Sequence, residues 1–118
     1  MAKKITQEWL DERLEFWQKI LRLGDWKITA QIVPQSELDE GVAGNLHHDQ
    51  HMRKGEIRIM RPEDLPQLRT KLFEADVEHT LVHELLHIHL LSAEFQLEKQ
   101  EEFAINAIAD ALMALGGD

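Results

Sequence analysis

The residues best suited to chemistry lie in residues 77–91, VEHTLVHELLHIHLL, a run with four histidines and two glutamates among apolar residues. On a helix, where each residue advances about 100°, His83 and His87 fall one turn apart on one face with Glu84 beside them. This is the HExxH pattern, in which two imidazoles bind a zinc ion and the glutamate acts as a base. The spacing predicts hydrolysis by a metal-activated water, with Glu84 as the general base.

The other two histidines of the run take different positions around the helix. His89 falls between Val82 and Leu85 on the apolar side, so it is predicted to be a core residue. His79 lies one turn before His83, on the ligand face but about 6 Å further along the axis, too far to share the same ion. His79 is therefore expected to line the cleft and support the site. The alternative is that His79 is a partly exposed helix histidine with no role in the site.

A catalytic zinc usually has three protein ligands and one open position. The longer HExxHxxGxxH pattern is absent, because no histidine follows His89. The next predicted helix instead begins with three glutamates, each a possible third ligand: Glu98, Glu101 and Glu102. Periodicity leaves this choice open, since Glu101 falls within the apolar stripe of that helix and Glu102 at its edge beside Asn106.

Two segments together carry a family resemblance. HELLH on one helix followed by EFAINAIADAL on the next resembles the gluzincin group of zinc metallopeptidases. The order of elements resembles the minimal gluzincins, small single-domain proteins often found in phage-like or prophage settings. The resemblance implies a metalloendopeptidase with one zinc ion, in which Glu102 is the glutamate ligand and Asn106 supports the site one turn later. Glu101 remains the alternative ligand.

Peptide hydrolysis also calls for a donor to the developing oxyanion. The chain has no Tyr, so the candidates are His47, His48, His51, Arg58 and His79. The stretch NLHHDQH, which holds the first three, has three interpretations: a second metal patch, a substrate-binding strand or a polar hairpin.

The first half of the chain contains the predicted helix and strands that would support this site. ITQEWLDERLEFWQKILRLG reads as a helix that backs the sheet, with Thr6 as its N-cap and Gly24 closing it. Residues 26–33 are rich in β-branched side chains and stop at Pro34, which is typical of a strand. Residues 42–49 and 55–62 predict a hairpin. We expect a small sheet of about three strands, mainly antiparallel.

The second half predicts two helices. The HExxH helix begins at Leu68 or Ala75 and ends at Leu91, and a glutamate helix follows from Leu97 to Leu115 before the final glycines. With 118 residues and no repeat, the chain is predicted to be one α+β domain spanning residues 1–118.

Composition argues against several classes of function. The absence of Cys excludes a thiolate metal site. The net charge of -9 argues against nucleic-acid binding, and no apolar segment is long enough to span a membrane. Residues 1–73 hold 12 acidic and 12 basic side chains, whereas residues 74–118 hold 10 acidic ones against Lys99. We expect a cytoplasmic monomer whose partner is a peptide or protein substrate, with a preference for basic peptides.

A second class of function stays open. The chain is alternatively a catalytically silent or latent zinc-binding module that acts as a regulatory or interaction protein. Glu84 argues against this alternative, because a structural zinc site needs no base and normally has four protein ligands.

Overall fold

The computed structural model describes residues 5–67, 77–91 and 98–117, with only the backbone for residues 65–67 and 98–100. The α+β class predicted from the sequence is confirmed. In chain order the elements are helix α1 (Gln7–Ile20), strands β1 (Lys27–Val33), β2 (Gly44–Asp49) and β3 (Lys54–Met60), and helices α2 (Val77–His89) and α3 (Glu98–Gly116), with 3-10 turns at Gln35–Glu37 and Pro62–Gln67. Within the described ranges, no helix has the length and apolar character needed to cross a bilayer.

Helix α1 begins where the sequence predicts. The side chain of Thr6 accepts a hydrogen bond from the backbone N–H of Trp9 at 3.0 Å, which satisfies one of the donors left unpaired in the first turn. The helix buries one face, formed by Leu10, Leu14 and Trp17.

The end of α1 differs from the prediction. Gly24 was expected to close the helix, but it ends at Ile20, and Arg22 adopts the left-handed conformation at φ 56°. The N–H of Leu23 then bonds to the carbonyl of Gln18 at 2.8 Å, as in a Schellman cap. A left-handed arginine costs about 1–2 kcal/mol, whereas burying a leucine gains roughly 1.5–3 kcal/mol. Leu23 is buried, and this burial offsets the strain.

The three strands form one sheet in the order β1-β3-β2. Strand β3 pairs with β2 as the predicted antiparallel hairpin and with β1 in parallel, so the sheet is mixed rather than mainly antiparallel. The reason is the connection over residues 34–43, which carries the chain to the far edge and leaves the central place to β3. Strand β2 therefore lies at an edge of the sheet.

Helix α2 is the central element of the core. Ten of its 13 residues are buried, as expected of a helix that is apolar almost all round. Leu81, Val82 and Leu85 are fully buried and pack in one cluster with α1, the inner face of the sheet and two residues of α3, Ile105 and Ala109. The helix ends at His89 rather than Leu91. The predicted starting points, Leu68 and Ala75, lie outside the described residues.

Candidate metal centre

The two histidines of the HExxH pattern point to the same place. The Nε2 atoms of His83 and His87 lie 3.2 Å apart, one turn from each other on α2. Glu84 lies beside them, and ligand atoms of these three residues fall within 4.8 Å of one another. The geometry expected from the spacing on a helix is present.

Glu102 meets this pair from α3. Its Oε2 lies 3.2 Å from Nε2 of His83, and its Oε1 lies 2.9 Å from Nε2 of His87. The two helices thus bring two imidazole nitrogens and one carboxylate to a single point. Of Glu84 and Glu102, the latter is the carboxylate in contact with both Nε2 atoms, so it is the better placed candidate for a third ligand.

The opposite side of each imidazole ring is also occupied. Nδ1 of His83 donates to the amide oxygen of Asn106 at 2.9 Å, and Nδ1 of His87 donates to a carboxylate oxygen of Glu101 at 3.2 Å. When a ring carries one proton, these partners favour its place on Nδ1, and the Nε2 lone pair is then directed toward Glu102 and able to bind a metal. Glu101 therefore contacts the ring of His87 on the side away from Glu102. The side chain of Glu98, the remaining alternative, lies outside the described residues.

These assignments make the donor set suitable for a cation. Two imidazole nitrogens and two carboxylate oxygens, all hydrogen-bond acceptors, approach one another at 2.9 to 3.2 Å. Acceptors crowded in this way repel one another unless a proton or a metal ion lies among them. Two neutral imidazoles and a carboxylate are the ligand types that zinc prefers when no thiolate is present. The residues fit a zinc ion, and their roles as ligands stay predictions.

Glu84 is more deeply buried than Glu102. Glu84 is 7% exposed, whereas the side chain of Glu102 is 43% exposed. Burial raises the pKa of the Glu84 carboxyl to about 7, with the charge of Glu102 adding to the rise and His87 opposing it. Burial likewise lowers the pKa of His83, against the hydrogen bond to Asn106, which raises it. A carboxyl that titrates near neutrality can both take up and release a proton.

A cleft of about 370 Å³ opens beside these residues. Residues 41–44 form one wall, and α2 and α3 form the other. Strand β2 can approach α2 because residue 44 is Gly: a Cβ there would lie 2.6 Å from Cγ2 of Thr80 and 2.9 Å from the carbonyl oxygen of Arg58. The same Cβ would lie 3.7 Å from Oε2 of Glu84. The glycine thus allows the strand to cover the carboxyl.

His79 lines the cleft, where the sequence placed it as a supporting residue. It is buried, and its Nε2 donates to Oδ1 of Asp110 at 2.9 Å. Sequence analysis did not identify Asp110. A usable indication was present, because Asp110 follows Glu102 and Asn106 at four-residue spacing and so shares their face of α3.

The prediction for His89 is wrong. The residue is exposed rather than part of the core, and its Nε2 contacts the backbone carbonyl of Leu21. His89 is the last residue of α2, where the helix leaves the packed interior. It contacts Leu21, the residue directly after the end of α1.

Four of the five candidate oxyanion donors lie on the β2–β3 hairpin. His47 and His48 are exposed on β2, and His51 is exposed in the turn that follows. Arg58 lies on β3 and contacts Glu56, with an Nε to Oε1 distance of 3.1 Å. These placements match the polar-hairpin interpretation. His79 is the member of the candidate set that lines the cleft.

In comparisons with known proteins, no protein-family model, curated protein or solved structure matches this chain. A function of this chain is therefore inferred from its own residues and the distances between them.

Proposed function

We propose that this chain is a zinc-dependent metalloendopeptidase. The observation that carries the proposal is the convergence of His83, His87 and Glu102 on one point, with the buried carboxyl of Glu84 beside them. Two imidazoles, a carboxylate ligand and an adjacent carboxyl are the parts that metal-assisted hydrolysis needs. The resemblance to gluzincins implies the same reaction class.

His83 and His87 would hold the ion through Nε2, and Glu102 through its carboxylate. Glu101 and Asn106 hold the Nδ1 side of the rings, so that both lone pairs stay directed at the ion without further reorganisation. Zinc, when bound, supplies a Lewis acid that polarises the substrate carbonyl and makes water more acidic.

Glu84 supplies the proton transfers. Its carboxylate accepts a proton from the attacking water as the oxygen adds to the carbonyl carbon, and it donates that proton to the amide nitrogen as the C–N bond breaks. The cover provided by β2 at Gly44 limits access of bulk water to this carboxyl. The proton is therefore kept between the attacking and leaving groups.

The proposal extends to the substrate preference, the location and the oligomeric state of the protein. Glu102 lines the cleft, and Glu101 and Asp110 add acidic charge on the same helix, which favours basic peptides as substrates. The cytoplasmic location, the monomeric state and a peptide or protein as the partner, with no nucleic acid or membrane, stay as predicted from the sequence.

The test combines metal content with cleavage. The purified protein is loaded with zinc, dialysed, analysed for bound metal and incubated with a mixed peptide library. We expect one zinc ion per chain and cleavage products. Glu84→Gln should retain zinc and lose cleavage by about 100-fold or more, whereas Glu56→Gln, on the hairpin, should behave like the wild type.

Other results would contradict different parts of the proposal. A wild type that binds zinc and cleaves no peptide supports the latent or silent zinc-binding module instead. A wild type that binds no zinc overturns both. Rates that do not rise for substrates containing Lys or Arg contradict the preference for basic peptides.

A further inference from the structure

Three side-chain pairs connect α2 to α3 at regular intervals. Nε2 of His87 lies 2.9 Å from Oε1 of Glu102, Nδ1 of His83 lies 2.9 Å from Oδ1 of Asn106, and Nε2 of His79 lies 2.9 Å from Oδ1 of Asp110. Along α2 the members are four residues apart in descending order, and along α3 they are four residues apart in ascending order. The two helices are antiparallel, and one pair of side chains joins them at each turn.

Few described residues of α3 are fully buried in the apolar core. Helix α3 contributes Ile105 and Ala109 to the core, with Leu112 and Met113 packed against it. The hydrophobic effect is non-directional, so it defines the axial register less sharply than a hydrogen bond does. Hydrogen bonds require both a short distance and a defined angle, so polar pairs fix the register.

The three pairs differ in their relation to the proposed ion. The pairs at His87 and His83 involve the metal ligands themselves, and their contacts depend on whether an ion is present. The pair of His79 and Asp110 lies one turn beyond, and both its members are outside the set of ligands. This pair can therefore hold α3 in register in the metal-free protein as well as in the loaded one.

We propose that His79 and Asp110 are positioning residues for the metal centre. Their hydrogen bond fixes α3 against α2 so that Glu102 stays opposite His83 and His87 before metal enters. A shift of one turn would displace Glu102 by about 5.4 Å and remove it from the site. The effect on zinc binding rests on the proposed metal centre. The positioning itself rests on the regular spacing of the three side-chain pairs.

Asp110 has a competing role to be distinguished. Its side chain is 74% exposed, so its negative charge could instead act on the zinc ion at a distance, without a fixed hydrogen bond. Asn at position 110 keeps an oxygen acceptor for the N–H of His79 and removes the charge. The hydrogen-bond role therefore survives Asp110→Asn, and the charge role does not.

The main experiment measures zinc affinity by competition with a chromophoric chelator. Asp110→Ala should weaken binding by about 10–100-fold, the usual effect of removing a group that supports a ligand. Asp110→Asn should stay close to the wild type, and the double variant with His79→Ala should be no weaker than either single variant. Asp39→Ala, an exposed loop residue, is the matched control. Unchanged affinity in Asp110→Ala, or equal losses in Asp110→Ala and Asp110→Asn, would overturn the proposal.

A metal-free experiment separates this inference from the proposed function. In excess chelator, Asp110→Ala and His79→Ala should each lower the midpoint of urea unfolding, and the double variant should lower it no further than His79→Ala does. Fully additive midpoints would show that the two residues do not act as a pair and would reject the inference. If the wild type binds no zinc, the proposed function fails, but these midpoints still decide whether His79 and Asp110 act as a pair.

Discussion

Trp17 donates its indole N–H to the carboxylate of Glu78 across the boundary between α1 and α2, with an Nε1 to Oε2 distance of 2.7 Å. The same carboxylate lies 2.8 Å from the guanidinium of Arg13, which also donates to the carbonyl of Gly116 at the end of α3. Glu78 is 3% exposed. Helices α1 and α2 thus meet at one buried carboxylate, next in sequence to His79, and Arg13 extends the contact to α3.

Removing this carboxylate should destabilise the fold. Breaking a buried ion pair by losing one partner costs about 3–5 kcal/mol, and Arg13, which is partly exposed, can recover some hydration. We expect Glu78→Ala to lower the free energy of unfolding by about 2–4 kcal/mol in urea denaturation followed by tryptophan fluorescence. Glu12→Ala, on the exposed side of α1, is the control. A change below about 1 kcal/mol would mean that the carboxylate is not a structural link.

Gly44 should tolerate no side chain. The Cβ of alanine would lie 2.6 Å from Cγ2 of Thr80 and 2.9 Å from the backbone oxygen of Arg58. Overpacking of this kind costs about 1–3 kcal/mol. Gly44→Ala should therefore lower the thermal midpoint and alter the packing of β2 over the carboxyl of Glu84. Gly24→Ala is the matched control, because no atom lies within 4 Å of its added Cβ.

The Thr80→Ser background sharpens the test of Gly44. Serine removes the methyl group but leaves the Arg58 carbonyl in place, so it should restore only part of the stability lost in Gly44→Ala. Equal midpoints for Gly44→Ala and Gly24→Ala would contradict the close approach of β2 to α2.

Glu101 and Glu102 should respond differently to amide replacement. Glu101 contacts Nδ1 of His87, where Gln can still accept the hydrogen bond, so Glu101→Gln should change zinc affinity by less than about 10-fold. Glu102 meets both Nε2 atoms, and Gln supplies a weaker neutral ligand there. Glu102→Gln should therefore weaken binding by about 100-fold or more, beyond the usual effect of removing a group that supports a ligand. Chelator competition on the two variants measures both. The reverse ranking would make Glu101 the ligand.

Local patterns predicted much of this molecule. The spacing of HELLH fixes the relative positions of two histidines and a glutamate on any helix, so their grouping needed no tertiary information. The cap at Thr6 and the hairpin of β2 and β3 depend on short-range chemistry in the same way. Burial of α2 followed from its apolar circumference.

Features set by tertiary packing were missed or left open. The parallel pairing of β1 with β3 depends on the route taken by residues 34–43, which no strand pattern reveals. Glu101 and Glu102 are adjacent on α3, and only the rotation of that helix against α2 decides which carboxylate meets the Nε2 atoms. Arg22 takes the place expected for Gly24 because burial of Leu23 favours an earlier stop.

Glu84 should make the metal-free protein less stable as pH rises. Its pKa is raised from an ordinary 4.5 to about 7 in the folded chain, so the folded state keeps a proton that the unfolded state loses within that window. The free energy of unfolding therefore falls as pH rises from about 4.5 to 7, by roughly 3 kcal/mol at 1.36 kcal/mol per pH unit. Above about pH 7 both states are ionised and the loss is complete.

Urea unfolding in excess chelator at several pH values measures this effect, with Glu84→Gln as the reference. The lowered pKa of His83 acts in the other direction, since it reduces stability as pH falls below 6.5. Because His83 is present in both proteins, the difference between wild type and Glu84→Gln isolates the carboxyl. That difference should grow in favour of Glu84→Gln between about pH 4.5 and 7 and then level off. A difference that does not vary with pH would show that Glu84 is ionised at its ordinary pKa and is not buried as described.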